Sequence, residues 1–161
     1  MHAPLLLLLM VLAPTVAMAQ HEHHASPGDT AQVRATIEAL FEAAERGDLE
    51  ALGAIYSGED LTVIEGAGID RGWTQYRDHH LAPELEAFEN FEYRPSQIEA
   101  HAAGDLAWAI FRYSLRADYR EQRLDHVGRG TAILERHGDR WVVRHTQTSS
   151  RPRRDTDPTD W

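Results

Sequence analysis

Apolar positions along the chain change period near residue 90, with helical spacing before it and strand alternation after it. Val33, Ile37, Leu40, Phe41 and Ala44 recur in steps of three and four, which predicts a helix capped by Asp29 or Thr30 and ended by Gly47. A shorter helix follows, with Asp48 as its cap, Leu49, Leu52, Ile55 and Tyr56 as its stripe, and Ser57-Gly58 as its close. Residues 61–65 then read as a strand and Gly66-Ala67-Gly68 as a turn. A third helix is expected over about 72–88, bent at Pro83. On its wheel Trp73, Arg77, His80, Glu84 and Phe88 share one direction, Tyr76 and Leu81 flank it, and His79 points away.

The remainder alternates as a meander. Strands are expected over 92–102, 106–119, 124–136 and 141–149, joined at Gly104-Asp105, Glu121-Gln122 and Gly138-Asp139, with Pro95 limiting the pairing of the first. If each joint is a two-residue hairpin turn, opposed residues form four rows: Ala109–Leu134–Val143, Phe111–Ala132–His145, Tyr113–Gly130–Gln147 and Leu115–Gly128–Ser149. That face is apolar at one end and polar at the other, and small residues in its middle strand leave room for a ligand. The opposite face carries Arg112, Arg116, Asp125, Arg129 and Arg144 beside an apolar set of Trp108, Ile110, Ile133 and Val142, which suggests a partner surface. Helices first and antiparallel strands afterwards predict an α+β chain, its three helices stacked on one face of a curved sheet.

The first 19 residues stand apart. Leu5 to Leu12 form an apolar run and Ala17-Met18-Ala19 a small-x-small cleavage pattern, so residues 1–19 read as a signal peptide and the mature domain as periplasmic or secreted. Pro14 interrupts the run, which is shorter than the roughly 20 residues needed to span a bilayer. Residues 20–29 form a His-rich flexible arm. Its His21, His23 and His24 could capture copper, zinc or nickel, although so compositional a cluster also reads as a solvated linker. Residues 30–151 hold the domain, and the Pro-, Asp- and Arg-rich stretch 152–161 reads as a flexible tail.

Composition narrows the chemistry. The formal charge of −10 argues against nucleic acid as a partner, since phosphate neutralisation needs a cationic surface. Every basic residue is Arg, which removes lysine nucleophiles and Schiff bases, and the absence of Cys removes thiol catalysis and disulfides. No glycine-rich phosphate loop or nucleophile elbow occurs.

The groups left for catalysis are His145 and Tyr113, with Gln147, His80, Glu65 and His126 around them. An imidazole held by a carboxylate can move a proton near neutral pH, and Tyr or Gln can orient a carbonyl, which suits isomerisation, dehydration or cyclisation of a small carbonyl compound. Trp73 and Tyr76 from the third helix and Phe111 from the sheet complete the expected binding set. His145 also fits a satisfied core histidine bonded to Tyr113 or to the backbone, and Tyr113 a ring that fills the space above Gly130. His80, His145 and Glu65 together hold the donors of a mononuclear metal site, but adjacent His79 and His80 diverge by about 100° on a helix and cannot chelate one ion. No cofactor is expected, with copper or zinc as the alternative.

The segment Leu40-Phe41-Glu42-Ala43-Ala44-Glu45-Arg46-Gly47-Asp48, the stretch from Gly72-Trp73 to His79-His80-Leu81, the turn Gly104-Asp105-Leu106-Ala107, and residues 141–150 together resemble a SnoaL-like domain of the nuclear transport factor 2-like superfamily. That group includes ketosteroid isomerase and scytalone dehydratase. The resemblance spans roughly residues 30–151 and implies a cone-shaped α+β fold, a pocket between helices and concave sheet, and homodimerisation through the outer face. Similar chains often carry two inward histidines on the last strand, and Gln147 stands at the second here. No inward row contains Asp or Glu, so the acid set of ketosteroid isomerase is not matched.

Overall fold

In a computed structural model that describes residues 27–161, helix α1 (Pro27–Glu45) buries Val33, Ile37, Phe41 and Ala44 along one stripe. Residues 1–19 and, of the arm expected over 20–29, residues 20–26 with His21, His23 and His24 lie outside the described residues; residues 27–29 belong to the first turn of α1, so Asp29 and Thr30 stand inside the helix and not at its cap. Gly47, at a φ of 66°, ends α1, and the amides of Gly47 and Asp48 return to the carbonyls of Ala44 and Ala43. Asp48 then caps α2 (Leu49–Ile55), its carboxylate accepting the Ala51 amide at 2.9 Å.

After a 3₁₀ turn, β1 (Thr62–Glu65) and β2 (Gly68–Arg71) form a hairpin whose second strand the hydrophobic pattern does not reveal. The third helical region is α3 (Trp73–Tyr76), a π turn (Arg77–Leu81) and α4 (Ala82–Ala87). Its wide turn, in which the Ala82 amide reaches back to the Arg77 carbonyl, replaces the simple bend expected at Pro83.

Strands β3 (Phe88–Ala103), β4 (Leu106–Tyr119), β5 (Gln122–His137) and β6 (Arg140–Pro152) complete a curved, unclosed six-stranded sheet of order β2-β1-β6-β5-β4-β3. Among the described strands only β1 and β6 pair in parallel, and an isolated parallel bridge joins Tyr56 to Val143. Pro95 is tolerated because β3 is an edge. That strand also bends at two register shifts, which contain the left-handed residues Asn90 and Gln97.

Two of the expected registers need correction. The β4–β5 turn is Arg120-Glu121, so the pairing slides by one full pleat: Phe111 faces Gly130, Tyr113 faces Gly128 and Leu115 faces His126. A slide of two residues leaves each side chain on its expected face. Between β5 and β6, Val143 pairs with Leu134 as expected, but His145 pairs with Ile133, leaving Arg144 as an extra residue. From that bulge onward the phase inverts. Thr146, Thr148 and Ser150 take the helix-covered face, and His145 and Gln147 the outer one.

On the outer face Trp108, Ile110 and Ile133 are exposed as expected, but Val142 is only 3% exposed and does not belong to that patch; Leu106 extends it instead. The residues expected to form a free tail are held against the sheet. Arg151 grips the Asp157 carboxylate through two 2.7 Å hydrogen bonds, and Trp161 Nε1 donates to the Gly128 carbonyl at 3.0 Å, with the Arg112 guanidinium over its ring. Among the described residues no helix is long and apolar enough to cross a membrane.

The two β5 glycines are required by the rings opposite them. A Cβ at Gly128 would lie 2.2 Å from Tyr113 Cζ, and one at Gly130 would lie 2.5 Å from Phe111 Cε2. Urea denaturation of Gly128→Ala and Gly130→Ala is expected to show losses of about 1–3 kcal/mol each from overpacking. Gly68→Ala, whose methyl meets nothing nearer than 3.4 Å, is expected to stay within about 0.5 kcal/mol of the native protein.

Candidate functional site

Where Phe111 and Tyr113 lie over bare glycine backbone, the sheet and helices do not meet, and a cavity of about 390 Å³ remains. Ile37, Leu40 and Phe41 of α1 form one wall, and Phe111, Tyr113 and Leu115 of β4 another. Phe41 fixes the aromatic packing: its ring centroid is 4.3 Å from that of Tyr93 and 5.3 Å from that of Phe111, the latter edge-on.

The polar end is built by the first hairpin and the third helical region. Glu65 follows buried Val63 by two residues, and Asp70 pairs with Val63 across the hairpin, so all three share the helix-covered face. Trp73 sets the height of the helix opposite. Its indole stacks on Tyr56 at 5.3 Å and abuts α2 at Gly53, where a Cβ would come within 2.9 Å of Nε1. Tyr76 and His80 then follow one turn apart, in edge-on contact.

Their polar atoms converge on Glu65. The Tyr76 hydroxyl donates to Oε1 at 3.2 Å, and His80 Nε2 stands 3.2 Å from Oε2. From behind, His80 Nδ1 meets Asp70 Oδ2 at 2.7 Å, while Glu84 Oε1 lies 3.6 Å from Nε2. The Glu65 hydrogen bond is the main cause raising the His80 pKa to about 9, with Asp70 adding to it and burial opposing it. His80 is therefore an imidazolium at neutral pH, a donor at both nitrogens. Burial pushes the Glu84 carboxyl up, and the His80 charge offsets part of that rise. Desolvation also holds the Tyr56, Tyr76 and Tyr93 phenols above their usual range, so they stay neutral. At the other polar rim Tyr113 is raised by burial despite hydrogen bonds with Ser150 and Thr148.

Of the residues expected to bind a ligand, Glu65, Tyr76, Phe111, Tyr113 and His126 line the cavity. Trp73 sits behind it in the core, and His80 reaches it through Glu65. His145 and Gln147 do not. The bulge sends His145 to the outer face, where its Nδ1 lies 3.0 Å from the Thr62 carbonyl oxygen, and Gln147 is exposed. Of the two partners expected for a structural His145, the ring therefore has the backbone one, the Thr62 carbonyl, and not Tyr113. The His80 and Glu65 donors do come together, but Glu84 replaces His145 as the third, with all three ligand atoms within 4.8 Å of one another.

Asp70 and Glu84 are the partners the sequence reading missed. Signals for both exist: a four-residue strand followed by a two-residue turn calls for a return strand through Asp70, and Glu84 stands four residues after His80.

Comparison with protein families finds a match over residues 33–152 to a family described as a SnoaL-like domain. Comparison with curated protein sequences finds no match. Among solved structures, the chain is similar to a nuclear transport factor 2-like superfamily protein from Salmonella enterica at 17% identity, covering 82% of this chain and 96% of that one with a TM-score of 0.70. It is also similar to a proposed dehydratase of the same superfamily from Streptomyces avermitilis at 19% identity, with 76% and 95% coverage and a TM-score of 0.68. A proposed ketosteroid isomerase from Shewanella frigidimarina matches at 19% identity, with 71% and 92% coverage and a TM-score of 0.63.

The His80 geometry carries a pH dependence with a definite sign. Its pKa rises from 6.5 to about 9 on folding, so the stabilisation is complete below about pH 6.5 and is lost as pH climbs through about 9. The thermal midpoint of the native protein is expected to fall over that window and that of His80→Gln to stay flatter. The difference is at most about 3 kcal/mol and smaller after solvent screening of a ring whose side chain is 25% exposed.

Proposed function

We propose that this chain, which belongs to the SnoaL-like domain family, binds a small, partly apolar molecule in its cavity and moves a proton on it, as an isomerase, dehydratase or cyclase of a carbonyl compound would. The supporting observation is Glu65, a carboxylate at the end of a largely apolar cavity, with the Tyr76 hydroxyl on one oxygen and His80 Nε2 on the other. In this reading Glu65 takes the proton from the carbon beside the carbonyl, and the Tyr113 phenol donates to the developing enolate oxygen. Tyr76 and His80 position the carboxylate, and Asp70 fixes the imidazole from behind. The base assigned to His145 on sequence grounds thus passes to Glu65, because His145 lies on the other side of the sheet. The dehydratase and isomerase proposed for two structural neighbours belong to the same reaction class.

A second copy of the chain is the proposed partner of the outer face. Trp108 and Ile133 pair across β4 and β5, and with Leu106 and Ile110 they expose between 45% and 56% of their surface. Removal of residues 1–19, export of the domain and metal capture by His21, His23 and His24 are further proposals, carried by sequence pattern alone.

Two measurements test these readings. With α-tetralone in heavy water, the native protein is expected to accelerate exchange of the protons next to the carbonyl, followed by NMR, and Glu65→Gln to slow it by about 100-fold or more. Exchange no faster than buffer, with ligand still bound, would reduce the domain to a binding module. In sedimentation velocity the native chain is expected to run as a dimer and Trp108→Glu as a folded monomer; a monomeric native chain would remove the second proposal.

A further inference from the structure

Resting on the cavity reading above but not on its proton-transfer step, we propose that the preferred ligand is an organic cation, an apolar body carrying an ammonium group that faces Glu65 and Glu84. The sign of the lining charges carries this. The chain has 16 basic residues, all Arg, yet among the described residues that line the cavity there is no Arg, and the acidic ones are Glu65 and Glu84. Titratable groups facing it from the other elements are neutral phenols, among them Tyr56, Tyr76 and Tyr113, and His126 at the far rim.

The single imidazolium nearby does not reverse that sign. His80 is shared among Asp70 at 2.7 Å, Glu65 at 3.2 Å and Glu84 at 3.6 Å, so one positive charge stands against three negative ones. Its tightest bond is to Asp70, on the side of the ring away from Glu65. Two negative charges are thus left over at the polar end.

The walls favour the same ligand. Phe41, Phe88, Phe91, Tyr93 and Phe111 all contribute rings to the lining, and the faces of such rings attract a cation and repel an anion. A carboxylate or phosphate ligand would meet two glutamates and no guanidinium. A neutral ligand would fit the walls but leave the charge excess unanswered.

Three probes of one shape separate these cases: 2-naphthylmethylammonium, 2-naphthylmethanol and 2-naphthoate, each titrated calorimetrically into the full chain. The ammonium is expected to bind at least about tenfold more tightly than the alcohol, and the carboxylate not measurably. In Glu84→Gln, whose side chain is 49% exposed and whose fold is checked by circular dichroism, the ammonium advantage is expected to shrink by about fivefold while the alcohol binds as before. Equal binding of ammonium and alcohol would overturn the charge inference alone. Binding of none of the three would overturn the cavity reading and this inference with it. Zinc titrated in parallel covers the inorganic alternative: tight zinc binding lost in Glu84→Gln, with no ammonium preference, would assign the charge excess to a metal ion and overturn the proposal.

Discussion

Along β6, Val143 pairs with Leu134 and His145 with Ile133, and the residue between them, Arg144, is left over. Every side chain after it changes face, so this bulge decides which half of the last strand sees the cavity. It occurs where β6 changes neighbours. Val143 bridges Tyr56 and its carbonyl accepts the Ser57 amide at 3.0 Å, whereas from His145 onward the strand pairs with β1. The displaced Arg144 guanidinium finds Glu135 at 2.7 Å and Asp60 at 3.4 Å, which secures the extra residue on the outer face. In consequence the helix-facing side chains of β6 that line the cavity are Thr146, Thr148 and Ser150, the last two beside the Tyr113 phenol, and not an imidazole and an amide.

With no histidine on the β6 part of the floor, the acidic groups collect at the opposite end, where the β1–β2 hairpin meets the π turn. A regular helix through Arg77–Leu81 would carry His80 and Glu84 round by a different angle; the wider turn delivers both beside Glu65. Burial and pairing then divide the labour among similar groups. Asp70, 15% exposed, secures the imidazole, Glu65 faces the cavity, and Glu84 stands at the mouth.

Residue order alone was enough for the α+β class, the caps at Asp48 and Gly47, the hairpins at Gly104-Asp105 and Gly138-Asp139, and the set of β4 and β5 side chains that face the helices. These follow from local chemistry: a capping carboxylate, a left-handed glycine, a period of two. The same local logic brought Glu65, Tyr76, Phe111, Tyr113 and His126 to the cavity. It failed at β6 because a bulge is set by what lies beside a strand, here the handover from Tyr56 to β1, and nothing in Val142-Val143-Arg144-His145 marks it. It failed likewise for Asp70, whose meeting with His80 joins a hairpin to a helix through space, and it set Glu84 on the His80 face without bringing it into the site. Only the folded chain could place those charges together, since period and capping act over a few residues while the field at Glu65 sums over groups brought close by packing.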